Sequence, residues 1–160
     1  MATTPRLVLD TNVCLDLFVF GDGQCAVLRE ALRTGAVEAV TDEACRAEWL
    51  AVLGHPQLAL DAVRREAAMA AFDEQMHRLP ASERRLVPPA LRLPRCADPD
   101  DQKFLELALA CGAQWLLSRD RELLKLARRT RREHGFDIVT PRGWAETQAG
   151  SAPASSVKPV

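Results

Sequence analysis

The chain of 160 residues contains no tyrosine and only three tryptophans and five phenylalanines. Aromatic platforms for stacking bases, a common device of single-strand binders, are therefore scarce. Trp49, Trp115 and Trp144 are expected in the core or at an interface. Charge of one sign is lacking too. Lys and Arg together number 21, Asp and Glu 22, for a formal net charge of -1. That excludes a global electrostatic argument for a nucleic-acid partner, and any such argument must rest on local patches. The five cysteines are odd in number and show no CxxC spacing. A zinc site or a disulfide framework is not supported, and buried free thiols in a reducing compartment are expected. His55, His77 and His134 are scattered, with no Ser–His–Asp or Cys–His arrangement, and no glycine-rich phosphate loop is present. No run of 18 apolar residues exists, and Met1 to Arg6 is not a basic segment leading into an apolar one. The expectation is a cytoplasmic protein with no membrane contact.

Apolar residues make up 48% of the chain, enough for a core, and the length suits one domain. Leu7-Val8-Leu9 is a short apolar run that stops at Asp10-Thr11-Asn12, as in a strand buried on both faces. A helix over Val13 to Phe20 follows, broken at Gly21-Asp22-Gly23. Cys25 to Arg33 reads as helix, Val37 to Val40 as strand, and Glu43 to Leu53 as helix behind the cap Thr41-Asp42. Leu58 to Leu79 reads as one long helical stretch with at most one break. Prolines 80, 88, 89 and 94 mark an irregular connector, in which Val87 is a candidate for a short strand. Asp101 to Cys111 is a helix ended by Gly112. Trp115 to Ser118 is a strand, Glu122 to Arg129 a helix, and Asp137 to Thr140 a last strand. Alternation of strands and helices gives an α/β class with a mostly parallel central sheet covered on both faces. Residues 1–146 form the domain, and the Ala, Ser, Pro and Gly that follow are expected to be a disordered tail over 147–160.

This topology gathers acids. In a parallel sheet a helix starts near the carboxyl end of one strand, and the next strand returns to that edge. The helix from Asp101 is about 16 Å long at ~1.5 Å per residue. The strand Gln114 to Ser118 covers roughly 16 Å at ~3.3 Å per residue. Asp101 and Asp120 should therefore lie level with Asp10, at the edge where open α/β sheets bind ligands. Glu48 joins them as an acid between Ala44 and Val52 on its helix, costly there unless paired or bound to a cation. Converging carboxylates raise one another's pKa or take up a cation. No lysine adjoins Asp10, Glu48 or Asp101 in the sequence. Hard oxygen donors of this kind suit Mg²⁺ or Mn²⁺ rather than zinc.

Leu7-Val8-Leu9-Asp10-Thr11-Asn12-Val13 resembles the opening motif of PIN domains. Asp98-Pro99-Asp100-Asp101-Gln102-Lys103-Phe104-Leu105-Glu106-Leu107-Ala108, followed by residues 112–120 ending Ser118-Arg119-Asp120, resembles their second half. Residues 6 to 143 are covered, and the look is most like the toxin components of bacterial toxin–antitoxin systems. The resemblance implies a three-layer α/β/α domain that hydrolyses RNA phosphodiester bonds with Mg²⁺ or Mn²⁺. It further implies a homodimer silenced by a cognate antitoxin. Asp10, Glu48, Asp101 and Asp120 match the catalytic, metal-holding acids, and Asn12 and Ser118 match supporting polar positions. Arg119 departs from the family, where a small residue is common; it either contacts phosphate or crowds the site. Asp98 and Asp100 compete with Asp101 for the third role or act as helix caps.

Blander readings stand beside these. Asp10, Asp101 and Asp120 each precede a helix and can simply cap it or favour its dipole. Glu48 can reach solvent or an arginine. Arg121, Lys125 and Arg128, with the arginines that follow, read either as a solvated helix face or, with Arg119, as a phosphate track. Two other functions compete with the ribonuclease. One is a non-catalytic RNA- or protein-binding module that kept the fold. The other is an aspartate-based phosphotransfer protein, opposed by Asn12 where a second acid is needed and by the lack of a suitably placed lysine.

Overall fold

The structure is a computed structural model and describes residues 3–86 and 92–151. Five strands form one parallel sheet: β1 (Arg6–Leu9), β2 (Glu38–Thr41), β3 (Met76–Arg78), β4 (Trp115–Leu117) and β5 (Asp137–Val139). Their order is β3-β2-β1-β4-β5, so β1 is central. Its paired residues explain the position. Leu7, Val8 and Leu9 are all buried, and Leu7 and Val8 align with Ala39 and Val40 on one side and Trp115 and Leu116 on the other. An apolar strand without alternation can only sit where both faces are covered.

The two covering layers follow from the two-residue period of the strands. Leu7, Leu9, Ala39 and Leu117 face one cluster, filled by Val13 of α1 (Thr11–Leu15), Leu28 of α2 (Ala26–Thr34), Trp49 and Leu53 of α3 (Glu43–Leu53), Phe72 of α4 (Ala62–Gln75) and Trp144 of α8 (Pro141–Ser151). Trp49 and Phe72 stack with centroids 5.1 Å apart. Val8, Val40, Leu116 and Ile138 face the other cluster. There they meet Phe104, Leu105 and Ala108 of α5 (Gln102–Cys111), Leu123 of α6 (Arg121–Leu124) and Ala127 of α7 (Ala127–His134). The expected three-layer α/β/α sandwich is observed, and the five cysteines are free and buried.

Several boundaries differ from the sequence reading. The first helix closes at Leu15 and widens into a π turn over Asp16–Phe20 before Gly21. The long stretch after Leu58 is interrupted by Ala59 in the left-handed region, and its helix ends at Gln75. The next three residues form edge strand β3, paired with β2, which the sequence reading missed. The candidate strand at Val87 lies outside the described residues. The helix expected over Glu122 to Arg129 is two, α6 and α7, separated at Lys125 and Leu126. α8 runs through Ser151, past residue 147 where the tail was expected to begin; residues 152–160 lie outside the described ones.

Gly112 closes α5 with φ +71°, its N–H bonding back to Ala108 and Leu109. A Cβ there would run into the guanidinium of Arg85. Gly112→Ala is therefore expected to cost about 1–2 kcal/mol from the backbone alone, read as a lower midpoint in urea. An unchanged midpoint would refute the strain.

Candidate active site

β1 stops where its last ladder bond, Asp10 N–H to the carbonyl of Leu117, hands the chain to α1. Chain order reverses between β1 and β4, so the carboxyl ends of these neighbours bound a crevice. Asp10 lies at its floor, 4% exposed. Its Oδ1 accepts from Val13 N–H at 2.9 Å and its Oδ2 from the hydroxyl of Ser118 at 2.5 Å. The first bond is the helix cap considered above, so capping and a site role share one carboxylate. Burial pushes the Asp10 pKa up to about 6; the bonds from Ser118 and Val13 and the charge of Arg119 oppose that, while Asp120 adds to it.

Ser118 is fully buried just beyond the end of β4. Besides donating to Asp10, its Oγ accepts from Asp120 N–H at 2.9 Å. One hydroxyl thus ties together two of the expected acids. Asp120 also caps α6 through Glu122 N–H at 2.8 Å. Asp101 stands at the N-cap position of α5 but makes no capping bond there. Its carboxyl faces that of Asp120 instead, close enough for a hydrogen bond that favours the protonated form of Asp101. Burial, that shared bond and the charges of Asp98, Asp120 and Asp10 raise its pKa to about 7. Asp98 caps the 3₁₀ turn Pro99–Asp101 by accepting from Asp100 N–H, which leaves Asp101 as the member facing Asp120.

Glu48 is placed differently from the sequence reading. The buried face of α3 is Cys45, Trp49 and Leu53; Ala44 is exposed and Glu48 is half-buried beside that face. Glu48 accepts from the hydroxyl of Thr11 and pairs with Lys103 Nζ at 2.5 Å. Lys103, two residues beyond Asp101, was missed. It is a cation at the site, but it stands on a helix and bonds Glu48, not Asp10, so it is no phosphotransfer lysine at a strand end.

Asp16 was also missed. It is 6% exposed in the π turn and holds Arg119 by two bonds, Nε to Oδ2 at 2.7 Å and Nη2 to Oδ1 at 3.2 Å. Burial raises the Asp16 pKa, against the pull of Arg119. A lone acid inside the apolar run Leu15 to Phe18 was the available signal. Arg119 is half exposed, and its fork is set on Asp16. Asn12 is exposed on the first turn of α1. Arg121, Lys125 and Arg128 are exposed too, with Lys125 paired to Glu122 at 3.0 Å.

Among the described residues, no three Asp, Glu, His or Cys side chains close into a ready-made metal cage. Asp101 faces Asp120, Asp10 is held by Ser118 and Val13, and Glu48 is held by Lys103 and Thr11. The donor chemistry still fits a hard divalent cation. Mg²⁺ keeps several waters and needs only one or two carboxylates, and the mutual repulsion felt by Asp10, Asp101 and Asp120 is what such a charge relieves.

The fold and the edge define a three-layer α/β protein with acids gathered at the topological switch point. The family model for the PIN domain matches residues 6–122, and the chain belongs to that family. PIN domains are generally nucleases and generally use divalent metals, so a nuclease role is the coarse assignment. No curated protein matches the chain. Among the described residues no helix is long and apolar enough to cross a membrane.

Proposed function

We propose that the chain is a Mg²⁺- or Mn²⁺-dependent endoribonuclease, in which Asp101, Asp120 and Asp10 hold the cation and Glu48 completes the set. The observation that carries this reading is the buried Asp10 carboxylate, coupled electrically to the Asp101–Asp120 pair at the carboxyl edge of β1 and β4. Acids driven to pKa values near neutrality are the mark of a site built for positive charge or proton transfer. A cation bound there supplies charge for the leaving oxygen of a phosphodiester and lowers the pKa of an attacking water. The chain's own residues do the positioning. Val13 N–H and the Ser118 hydroxyl fix the plane of the Asp10 carboxylate, and Ser118 fixes the backbone of Asp120. Asp16 steers Arg119, whose half-exposed guanidinium is within the field of Asp10 and can meet a phosphate.

The finer assignment is the toxin of a toxin–antitoxin pair, a cytoplasmic homodimer silenced by a cognate antitoxin. It is supported by the overall look of residues 6 to 143, which is most like the toxin components of bacterial toxin–antitoxin systems. The test uses purified protein freed of any bound partner, a panel of single-stranded RNAs, and Mn²⁺, Mg²⁺ or EDTA. Cleavage that needs metal and is lost in Asp10→Asn and Asp101→Asn is the expected result. Cleavage that survives EDTA or both substitutions would overturn the site.

A further inference from the structure

One face of α5 leads away from the acids and is lined in an unusual way. Gln102, Glu106, Leu109 and Ala110 lie at helical spacing along it. Together with the segment 92–95 they border a cavity of about 640 Å³. Among the described residues Arg84, Arg85, Arg92, Arg95 and Arg129 all line that cavity, against the single carboxylate of Glu106. The chain as a whole has a formal charge of -1, so this is a strong local concentration of one sign. Arg84 is paired with Asp42 and Arg129 with Glu133. Arg85, Arg92 and Arg95 form no ion pair among the described residues. Like charges brought together unpaired are unfavourable for the fold alone, and a polyanion relieves them.

The cavity is joined to the site by a fixed strut. Gln102, next in sequence to Asp101, accepts from Cys96 N–H at 2.8 Å and donates to the carbonyl of Pro94 at 3.1 Å. Both neighbours of Arg95 are thereby pinned to the start of α5, and Cys96 is close enough to feel the charges of Asp101 and Asp120. Arg95 stands where the acids end and the arginines begin.

We propose that this arginine-lined groove is a docking track for the phosphate backbone of single-stranded RNA on one side of the scissile bond. The inference rests on the nuclease reading of the acidic edge. From Gln102 to Ala110 the helix advances about 12 Å at ~1.5 Å per residue. That is room for roughly three phosphates at the ~3.4 Å spacing of a stacked strand. Among the described residues no phenylalanine or tryptophan lines the groove, so it grips phosphates without stacking bases and adds length preference rather than sequence preference. The exposed Arg121, Lys125 and Arg128 are not part of it; Arg129 is.

The test compares the wild-type chain with Arg85→Gln/Arg95→Gln/Arg129→Gln and, separately, with Arg95→Glu, after thermal melts show both folded. Binding of a fluorescent oligouridylate 12-mer is measured in EDTA at several salt concentrations. Cleavage of the 12-mer and of a trinucleotide is measured with Mn²⁺. The triple variant is expected to bind about tenfold or more weakly, with a salt slope shallower by roughly 2, at ~0.7 for each phosphate no longer neutralised. The 12-mer loses its advantage in kcat/KM over the trinucleotide, which is too short to fill the groove. Arg95→Glu moves the same readouts in the same direction. Unchanged 12-mer binding and slope in both variants would overturn the track while cleavage leaves the nuclease reading standing. Arginine-dependent binding without any cleavage, conversely, supports the track and strikes the nuclease reading. Displacement of the 12-mer by an equal concentration of a polyglutamate 12-mer would assign the groove to an acidic protein segment and overturn RNA as its occupant.

Discussion

Asp10→Asn is expected to remove nuclease turnover by about a thousandfold or more and, at the same time, to stabilise the metal-free protein at pH 8. The first effect follows from the charge. An amide is a poor ligand for a hard cation, and losing several kcal/mol of transition-state stabilisation at ~1.4 kcal/mol per tenfold gives that factor. The second follows from burial. Asp10 has an ordinary pKa of 3.8 and is pushed to about 6 in the fold, chiefly by desolvation. An acid whose folded pKa is raised binds more protons folded than unfolded. Stability is therefore full below about pH 4 and is lost as pH rises through 6. Asparagine carries no charge to desolvate. Its Oδ1 can still accept from Val13 N–H, and its amide can donate to Ser118 Oγ. The gain at pH 8 should be on the order of 1–3 kcal/mol, or ~2–4 °C in Tm for each kcal/mol. It should vanish at pH 4, where Asp10 is protonated anyway. Asp101→Asn acts in the same direction, because Asp101 is raised to about 7 by burial and by its shared bond with Asp120. Saturating Mn²⁺ should cancel the wild type's deficit, since a ligand that binds only the folded state stabilises it, by ~2.7 kcal/mol at a hundred times Kd. Thermal melts at pH 4 and pH 8, with and without Mn²⁺, decide the matter. An Asp10→Asn protein less stable than wild type at pH 8 would mean that the hydrogen bonds from Val13 and Ser118 already outweigh the burial of the charge.

The same residues show what could be read in advance. Leu7-Val8-Leu9 is apolar without alternation, and only the centre of a parallel sheet accommodates that. From there Asp10 and Asp120 follow by topology, because crossovers return every strand to one edge; Ser118 was legible only through the family resemblance. The level of Asp101 was legible for the same reason, although three acids crowd its turn; the cap foreseen for Asp98 is a local bond to Asp100 N–H, whereas the approach of Asp101 to Asp120 depends on tertiary packing. β3 was not legible. Met76-His77-Arg78 has no β-branched residue and follows α4 with no glycine or proline between, so nothing local marks the change from helix to edge strand. Lys103 escaped for a geometric reason. Two residues along a helix is about 200°, which points it away from Asp101, and only the packing of α5 beside α3 brings it to Glu48. In the sequence Glu48 is flanked by Ala44 and Val52 at helical spacing, whereas the face that packs is one position on, at Cys45, Trp49 and Leu53. The arginine groove draws from four separate segments, residues 84–85, 92–95, α5 and Arg129, and sequence order cannot show that they meet.

Ser118 carries the other large effect. Its hydroxyl has one proton to give and lone pairs to accept with, and both uses are taken: it donates to Asp10 Oδ2 and accepts from Asp120 N–H. Ser118→Ala leaves the Asp120 N–H without that partner and strips from Asp10 the bond that most opposes its burial. The Asp10 pKa must then rise further. Groups that orient metal-holding side chains are worth about 10–100-fold in affinity or activity when lost. Ser118→Ala is therefore expected to lower kcat/KM with Mn²⁺ by that factor and to move the acid limb of the pH–rate profile to higher pH. Ser118→Thr keeps an oxygen with the same donor and acceptors and should return the limb toward its wild-type position, though an added methyl at a fully buried site costs some stability. The shift in the profile separates this positioning role from simple damage to the core. Loss of activity with an unmoved acid limb would mean that Ser118 supports the fold and does not hold the Asp10 carboxylate for the reaction.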